Sequence, residues 1–156
     1  MRFADVAKCI LLAALVVGTS AIGAPPARAA EPYCQDPSHQ QPRKVPANLV
    51  ARVAKALQID TAMVRGETFI RCAGATLMGC SIGANLVCGQ ADTRRQIPEA
   101  SKWCHDNPEA EIVPMFATGH ATIYEWSCVD RRAVPGKVVF AVDPAGYIAE
   151  NWQTIP

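Results

Sequence analysis

The spacing of apolar residues predicts two helices in this chain. Apolar side chains fall on one face of a helix over residues 47–58, with Arg52 and Lys55 on the other face. A second helix is predicted to begin near Pro98, which suits a first helical turn, and to end before Pro108. Its predicted inner face carries Ala100, Trp103 and Cys104.

Alternating apolar and polar positions predict five or six antiparallel strands. The predicted strands are residues 67–72, 76–82, 121–129, 137–142 and 147–152, with a short extended segment at 111–115. Turn and loop residues separate them at 73–75, 83–85, 117–120, 131–136 and 143–146. The predicted fold class is therefore α+β: an antiparallel sheet of about five strands with two helices, stapled by disulfides.

The amino-terminal residues have the three-part pattern of a secretory signal peptide. Arg2 and Lys8 precede an apolar run at 9–17, and small residues follow as far as Ala29. The run is too short to cross a bilayer, which needs about 20 residues. We therefore expect a signal peptide at 1–29, an irregular amino-terminal arm at 30–45 and a single domain at 46–156. The mature chain is expected to be periplasmic or secreted and to lack a membrane span.

Cleavage of that signal peptide would remove Cys9 and leave six of the seven cysteines. An even number of cysteines in an exported domain predicts disulfides, but six cysteines allow fifteen pairings and the sequence does not choose among them. A short turn at 73–75 would keep Cys72 and Cys80 from facing each other, and this turn is favoured. A longer loop over 73–79 would permit a bridge between them. The predicted disulfide cysteines are Cys34, Cys72, Cys80, Cys88, Cys104 and Cys128.

Charge and motifs argue against several function classes. The net charge is +1, and it becomes −1 after cleavage, so the chain lacks the basic excess that nucleic-acid binding needs. The basic doublets 94–95 and 131–132 are interpreted as solvated loops. No Cys-x-x-Cys, Gly-x-Ser-x-Gly or His-Glu-x-x-His motif occurs. The sequence therefore predicts no metal site and no cofactor.

The residues with the best potential for chemistry surround His120. A glycine precedes it, and Glu125 lies close in sequence, so His120 and Glu125 are the candidates for proton transfer. The alternative is a histidine that only orders its loop. For binding, the candidates are Asn85, Thr118 and His120, which lie in predicted loops. The three tryptophans fit core positions better than a groove for a sugar or peptide.

Three functions follow from these residues. The first is an exported binding or inhibitor-like module of the bacterial envelope, with an envelope protein or cell-wall ligand as its partner. The second is a structural envelope protein without a ligand, and the third is a small hydrolase that uses His120. No catalytic signature is assembled in the sequence, which favours a function other than catalysis.

Several motifs resemble those of an uncharacterised family of small cysteine-rich exported proteins of alphaproteobacteria, of the rhizobial type. The similarity runs through roughly residues 68–153. The motifs that carry it are Gly83-Ala84-Asn85-Leu86-Val87-Cys88-Gly89-Gln90, Trp103-Cys104 with Asn107-Pro108, Thr118-Gly119-His120-Ala121-Thr122-Ile123-Tyr124-Glu125-Trp126, and Asp143-Pro144-Ala145-Gly146-Tyr147. The resemblance implies export and a cysteine framework, and it implies no catalytic residue.

Overall fold

The computed structural model describes residues 31–156, so the predicted signal peptide at 1–29 lies outside the described residues. This range contains six strands: β1 (Arg43–Lys44), β2 (Thr68–Ala73), β3 (Thr76–Ser81), β4 (Tyr124–Val129), β5 (Arg132–Val138) and β6 (Gln153–Thr154). It also contains four α-helices: α1 (Val50–Leu57), α2 (Thr61–Glu67), α3 (Pro98–Asp106) and α4 (Met115–Thr118). All strand pairs are antiparallel, which confirms the α+β class. No helix in the described part is long and apolar enough to cross a membrane.

A four-stranded sheet in the order β1-β2-β3-β6 is covered on both faces. Ile70 and Leu77 point to one face and pack against α1 and α2, where Val53 and Val64 are fully buried. Gly79 belongs to this face, because the Cδ1 atom of Ile155 lies only 2.8 Å from where a Cβ would stand. The other face carries a cluster formed by Cys80, Cys88, Tyr147 and Trp152. We call this region, residues 31–90 and 143–156, the sheet half.

The second sheet is the hairpin of β4 and β5, which is covered by α3 and α4. The turn between its strands places Asp130 and Arg131 at φ 48° and 63°, as a tight two-residue hairpin turn requires. The core of this region consists of Ile97, Ala100, Cys104, Val113, Ala117 and Trp126. We call residues 91–142 the hairpin half.

Three disulfides join the six cysteines, as predicted. Cys34–Cys72 ties the amino-terminal arm to β2, Cys80–Cys88 closes the loop after β3, and Cys104–Cys128 joins α3 to β4. The turn between β2 and β3 is short, and Cys72 faces Leu77 rather than Cys80 across the ladder. The longer loop is therefore excluded. Disulfides of this kind are typical of proteins in oxidising compartments.

Four element predictions in the second half of the chain are wrong. Of the turn predicted at 131–136, residues 132–136 belong to β5, where Pro135 and Gly136 lie next to a bulge opposite Glu125. Proline is tolerated there because β5 is an edge strand. The predicted strand 137–142 ends at Val138, and the predicted strand 147–152 contains a 3₁₀ turn, Ala149–Asn151. The loop predicted at 117–120 begins inside α4.

The strand and helix inventory also differs from the expectation of one sheet and two helices. Two separate sheets are present, and both α2 and β1 were not predicted. The helix α2 begins at a strong cap, because the Asp60 carboxylate accepts from the Met63 N–H (2.8 Å). The arm predicted as irregular contains β1 and two 3₁₀ turns, Pro32–Gln35 and Pro37–Gln40.

An apolar cleft in the hairpin half

The cleft forms where the chain before α4 separates from β4. The Val113 N–H donates to the Trp126 carbonyl (3.2 Å), and the Cys128 N–H donates to the Glu111 carbonyl (3.1 Å). These bonds hold residues 111–113 beside β4. Pro114 then starts α4, and the chain turns away from the strand. The space that opens has a volume of about 560 Å³.

Apolar side chains make up most of the cleft wall. A volume near this value is within the range of small-ligand sites, roughly 300–1,000 Å³, and such sites are mostly apolar with few polar groups. The apolar wall consists of Ile112, Met115, Tyr124, Trp126, Val139 and Phe140. The main polar side chains are Thr118, Thr122 and Glu125. The composition of the wall is therefore that of a site for an apolar group.

The polar side chains of the cleft already have partners. The Trp126 Nε1–H donates to the Thr122 hydroxyl (2.8 Å), and the Thr118 hydroxyl donates to the Gly119 carbonyl (3.3 Å). Glu125 forms an ion pair with Lys137 at 3.1 Å. Both side chains of that pair are more than half exposed, so it contributes at most about 1 kcal/mol to stability. Thr118, Thr122 and Glu125 are therefore each engaged with another group of the protein.

The sequence-predicted site residues lie in different places. His120 follows Gly119, whose φ is +81°, and it does not line the cleft. Its Nδ1 atom is buried and has no hydrogen-bond partner among the described residues. Thr118 is buried in the cleft wall and Glu125 lies at its edge. Asn85 is exposed in the loop that the Cys80–Cys88 disulfide closes, in the sheet half.

The structure therefore brings Thr118 and Glu125 to one cleft and leaves His120 and Asn85 outside it. His120 and Glu125, the pair considered for proton transfer, form no hydrogen bond with each other. Sequence reasoning missed Ile112, Val139 and Phe140 as wall residues. Their apolar character was visible, but the cleft depends on the separation of two chain segments, which no local pattern indicates.

Two neighbouring arginines have different surroundings, and one of them contacts a residue of the cleft wall. Arg94 forms an ion pair with Asp92 (2.7 Å), and hydrogen bonding from Arg94 lowers the pKa of the Asp92 carboxyl. The guanidinium of Arg95 lies over the ring of Tyr124, 5.0 Å from its centroid, and Tyr124 lines the cleft. In the described part of the chain, Arg95 forms no ion pair. From the sequence, both residues had the same interpretation, a solvated basic doublet.

Large apolar side chains of the hairpin half are exposed to water. Ile112 and Phe116 are each 74% exposed, and Phe116 packs edge-on against Trp103 with ring centroids 5.1 Å apart. Val138 is also exposed. Ile112 lines the cleft, so part of the cleft wall is exposed apolar surface.

In the sheet half, by contrast, a cation is buried and paired within the protein. Arg71 is 1% exposed, donates through Nη2 to the Asp143 carboxylate, and lies over the rings of Tyr147 (4.3 Å) and Trp152 (4.6 Å). Burial by itself would raise the pKa of Asp143. Hydrogen bonds from the Tyr147 N–H and from Arg71, with the Arg71 charge, outweigh burial and hold that pKa below its usual value. The pair fastens residues 143–152 to the sheet.

Comparison of the chain with protein-family models, with curated proteins and with solved structures finds no match. Within residues 31–156, no group of three or more His, Cys, Asp or Glu side chains is close enough together to hold a metal ion. The function is therefore argued from the geometry of the cleft and its surroundings.

Proposed function

We propose that this protein is an exported binding module of the bacterial envelope, and that its cleft takes up the apolar part of a small ligand. The observation that carries this proposal is the cleft of about 560 Å³ with its wall of aromatic and aliphatic side chains. The signal-peptide pattern and the three disulfides support a periplasmic or secreted location.

The cleft walls are held in place before any ligand arrives. Trp126 and Val113 belong to the buried core of the hairpin half, and the Cys104–Cys128 disulfide ties α3 to β4. A preformed site needs little ordering of side chains when it binds, so more of the apolar contact contributes to affinity. Each square ångström of apolar surface removed from water contributes about 25 cal/mol. A rigid apolar cleft is suited to this use.

Other functions have less support. An inhibitor-like module that binds an envelope protein would use the exposed side chains of Ile112 and Phe116, and this is the second candidate. A hydrolase that uses His120 with Glu125 has no support from side-chain contacts, since Glu125 pairs with Lys137. A structural protein without a ligand would leave the apolar wall of the cleft without a role.

A neutral fluorescent probe tests the proposal. N-phenyl-1-naphthylamine brightens in an apolar environment, and we expect saturable binding of one probe per chain. The variant Gly136→Leu should abolish this binding, because Gly136 lines the cleft and a Cβ there makes only ordinary contacts with the Glu125 backbone oxygen (3.6 Å) and Cβ (3.7 Å). The larger side chain would then occupy the ligand volume.

Gly66→Leu is the matched control. A Cβ at Gly66 meets nothing within 4 Å, and this glycine lies in α2, in the sheet half. This variant should bind the probe as the wild type does. The proposal is wrong if the wild type fails to bind the probe, or if Gly136→Leu binds it normally while its near-ultraviolet circular dichroism is unchanged.

A further inference from the structure

This inference rests on the proposed function and concerns the charge of the ligand. We propose that the cleft selects an anionic amphiphile: its apolar body occupies the cleft, and its carboxylate meets the guanidinium of Arg95. Tyr124 connects the two parts of the site, because it lines the cleft and also lies beneath Arg95. A ligand that contacts Tyr124 in the cleft is therefore separated from the Arg95 guanidinium by no more than the Tyr124 side chain.

The ion pairs near the cleft leave Arg95 without a partner. Glu125 is paired with Lys137, and Asp92 is paired with Arg94. Arg95 lies over Tyr124 of the cleft wall and forms no ion pair with a carboxylate of the described residues. The cleft thus has an unpaired positive charge next to one residue of its wall. The complementary ligand has an apolar body and a single negative charge.

The position of Arg95 suits it to receive a carboxylate. A guanidinium over an aromatic ring covers the ring with its flat face, while its N–H groups point outward in its own plane. Two parallel N–H donors then match the two oxygens of a carboxylate. Stacking on Tyr124 also limits the conformations of the side chain, so less entropy is lost when the ligand binds.

The surroundings of Arg95 limit the size of the effect. The side chain is exposed, and an ion pair in water is much weaker than a buried one. Affinity is therefore expected to come mainly from the apolar wall, and the charge is expected to set a preference among ligands of equal apolar size. Arg95 acts as a specificity determinant in this scheme.

Three probes with the same ten-carbon chain separate the two contributions: decanoate (negative), decan-1-ol (neutral) and decyltrimethylammonium (positive). Each is titrated against the protein loaded with N-phenyl-1-naphthylamine. We expect decanoate to displace that probe at the lowest concentration and the cation at the highest. The variant Arg95→Gln should weaken decanoate by about fivefold and leave decan-1-ol unchanged.

Two variants and one condition serve as controls. The double variant Asp92→Asn/Arg94→Gln removes the neighbouring ion pair without changing the net charge, and it should keep the preference for decanoate. Arg95→Lys should retain part of the preference because it keeps the charge. High salt should reduce the advantage of decanoate over decan-1-ol, since the pair is exposed.

The outcomes distinguish this inference from the proposed function. Equal binding of all three decyl probes overturns the inference and leaves the proposed function standing. No binding of the neutral fluorescent probe removes the proposed function and the inference together. An equal loss of decanoate binding in Asp92→Asn/Arg94→Gln and in Arg95→Gln, or a dimer in sedimentation that takes up none of the decyl probes, also overturns it. If Arg95→Gln fails to fold, the test is the order in which the three decyl probes bind to the wild type, together with the salt dependence of that order.

Discussion

The two halves of the molecule use their apolar residues in different ways. The sheet half buries both faces of its sheet, with α1 and α2 on one face and Tyr147 and Trp152 on the other. In residues 31–156, eight of the ten exposed large apolar residues lie between 112 and 142, in the hairpin half. Both halves thus have a buried apolar core, but exposed large apolar side chains are concentrated in the hairpin half.

The ion pairs also differ between the two halves. In the sheet half, Arg71 is buried with Asp143 and two aromatic rings. In the hairpin half, the pairs Lys102–Asp106 and Glu125–Lys137 are exposed. A buried pair that loses one partner is costly, whereas an exposed pair contributes little. Ionic interactions should therefore matter for stability in the sheet half and for ligand choice in the hairpin half.

The largest effect expected from a single substitution is on the buried pair. Asp143→Asn keeps an oxygen that can accept from the Ala145 and Tyr147 N–H groups, but it leaves the Arg71 charge without its counterion. We expect the free energy of unfolding to fall by about 3 kcal/mol, measured by chemical denaturation at neutral pH.

Asp106→Asn is the control in the other half, because it removes one partner of the exposed pair with Lys102. Its cost should stay below about 1 kcal/mol. Equal losses of unfolding free energy in Asp143→Asn and Asp106→Asn would show that ion pairs contribute equally to stability in the two halves.

The disulfides give the next comparison. Replacing Cys34 and Cys72 by alanine opens a separation of 38 residues and should cost about 4 kcal/mol. Replacing Cys104 and Cys128 opens a separation of 24 residues and should cost about 3.5 kcal/mol. Only the second pair joins α3 to β4, so only the second double variant should also weaken probe binding to the cleft.

The free energy of unfolding and the affinity for the probe are both measurable on the same proteins. Probe binding is measured at a temperature where near-ultraviolet circular dichroism shows that each variant is folded. Weaker probe binding in the Cys34/Cys72 variant at that temperature would contradict the separation between a stabilising half and a binding half.

The sequence predicted α1, β2 and β3 in the sheet half and α3 and β4 in the hairpin half, because the signals for these elements are local. The helix at 47–58 and the strands at 67–72 and 76–82 follow from side-chain periodicity, and the structure has α1, β2 and β3 there. The α2 helix was missed because it is short and its apolar pattern is weak, so that its main signal is the cap at Asp60. In α1, β2 and β3, the local preference and the tertiary packing agree.

In the hairpin half, local signals conflict with packing. Pro135 and Gly136 have the composition of a turn, yet they lie in β5, because an edge strand with a bulge tolerates both. Trp126 was assigned to the core and does belong to it, but it also lines the cleft. The different roles of Arg94 and Arg95 depend on Asp92 and Tyr124, which only the folded chain places beside them.

Acid should reduce the difference in the free energy of unfolding between the wild type and Asp143→Asn. The pKa of Asp143 is lowered in the folded state, so the stability it contributes is complete above its unfolded pKa of about 4. That contribution is lost as the pH falls through the lower folded pKa. The amide of the variant has no such proton to gain, so the gap between the two proteins should narrow below about pH 4. Denaturation curves at several pH values measure the gap, and a constant gap down to about pH 2 would contradict this account.

The smallest expected effect on stability is at the rim of the cleft. Ile112→Ala removes apolar atoms that are already in water, so the free energy of unfolding should change by less than about 0.5 kcal/mol. The same change removes part of the cleft wall and should weaken binding of N-phenyl-1-naphthylamine several-fold. Met63→Ala, an exposed apolar residue of the sheet half, should alter neither quantity appreciably. A loss of stability above about 1 kcal/mol in Ile112→Ala would mean that this side chain supports the fold of the hairpin half, and the contrast between the halves would then fail at its most exposed residue.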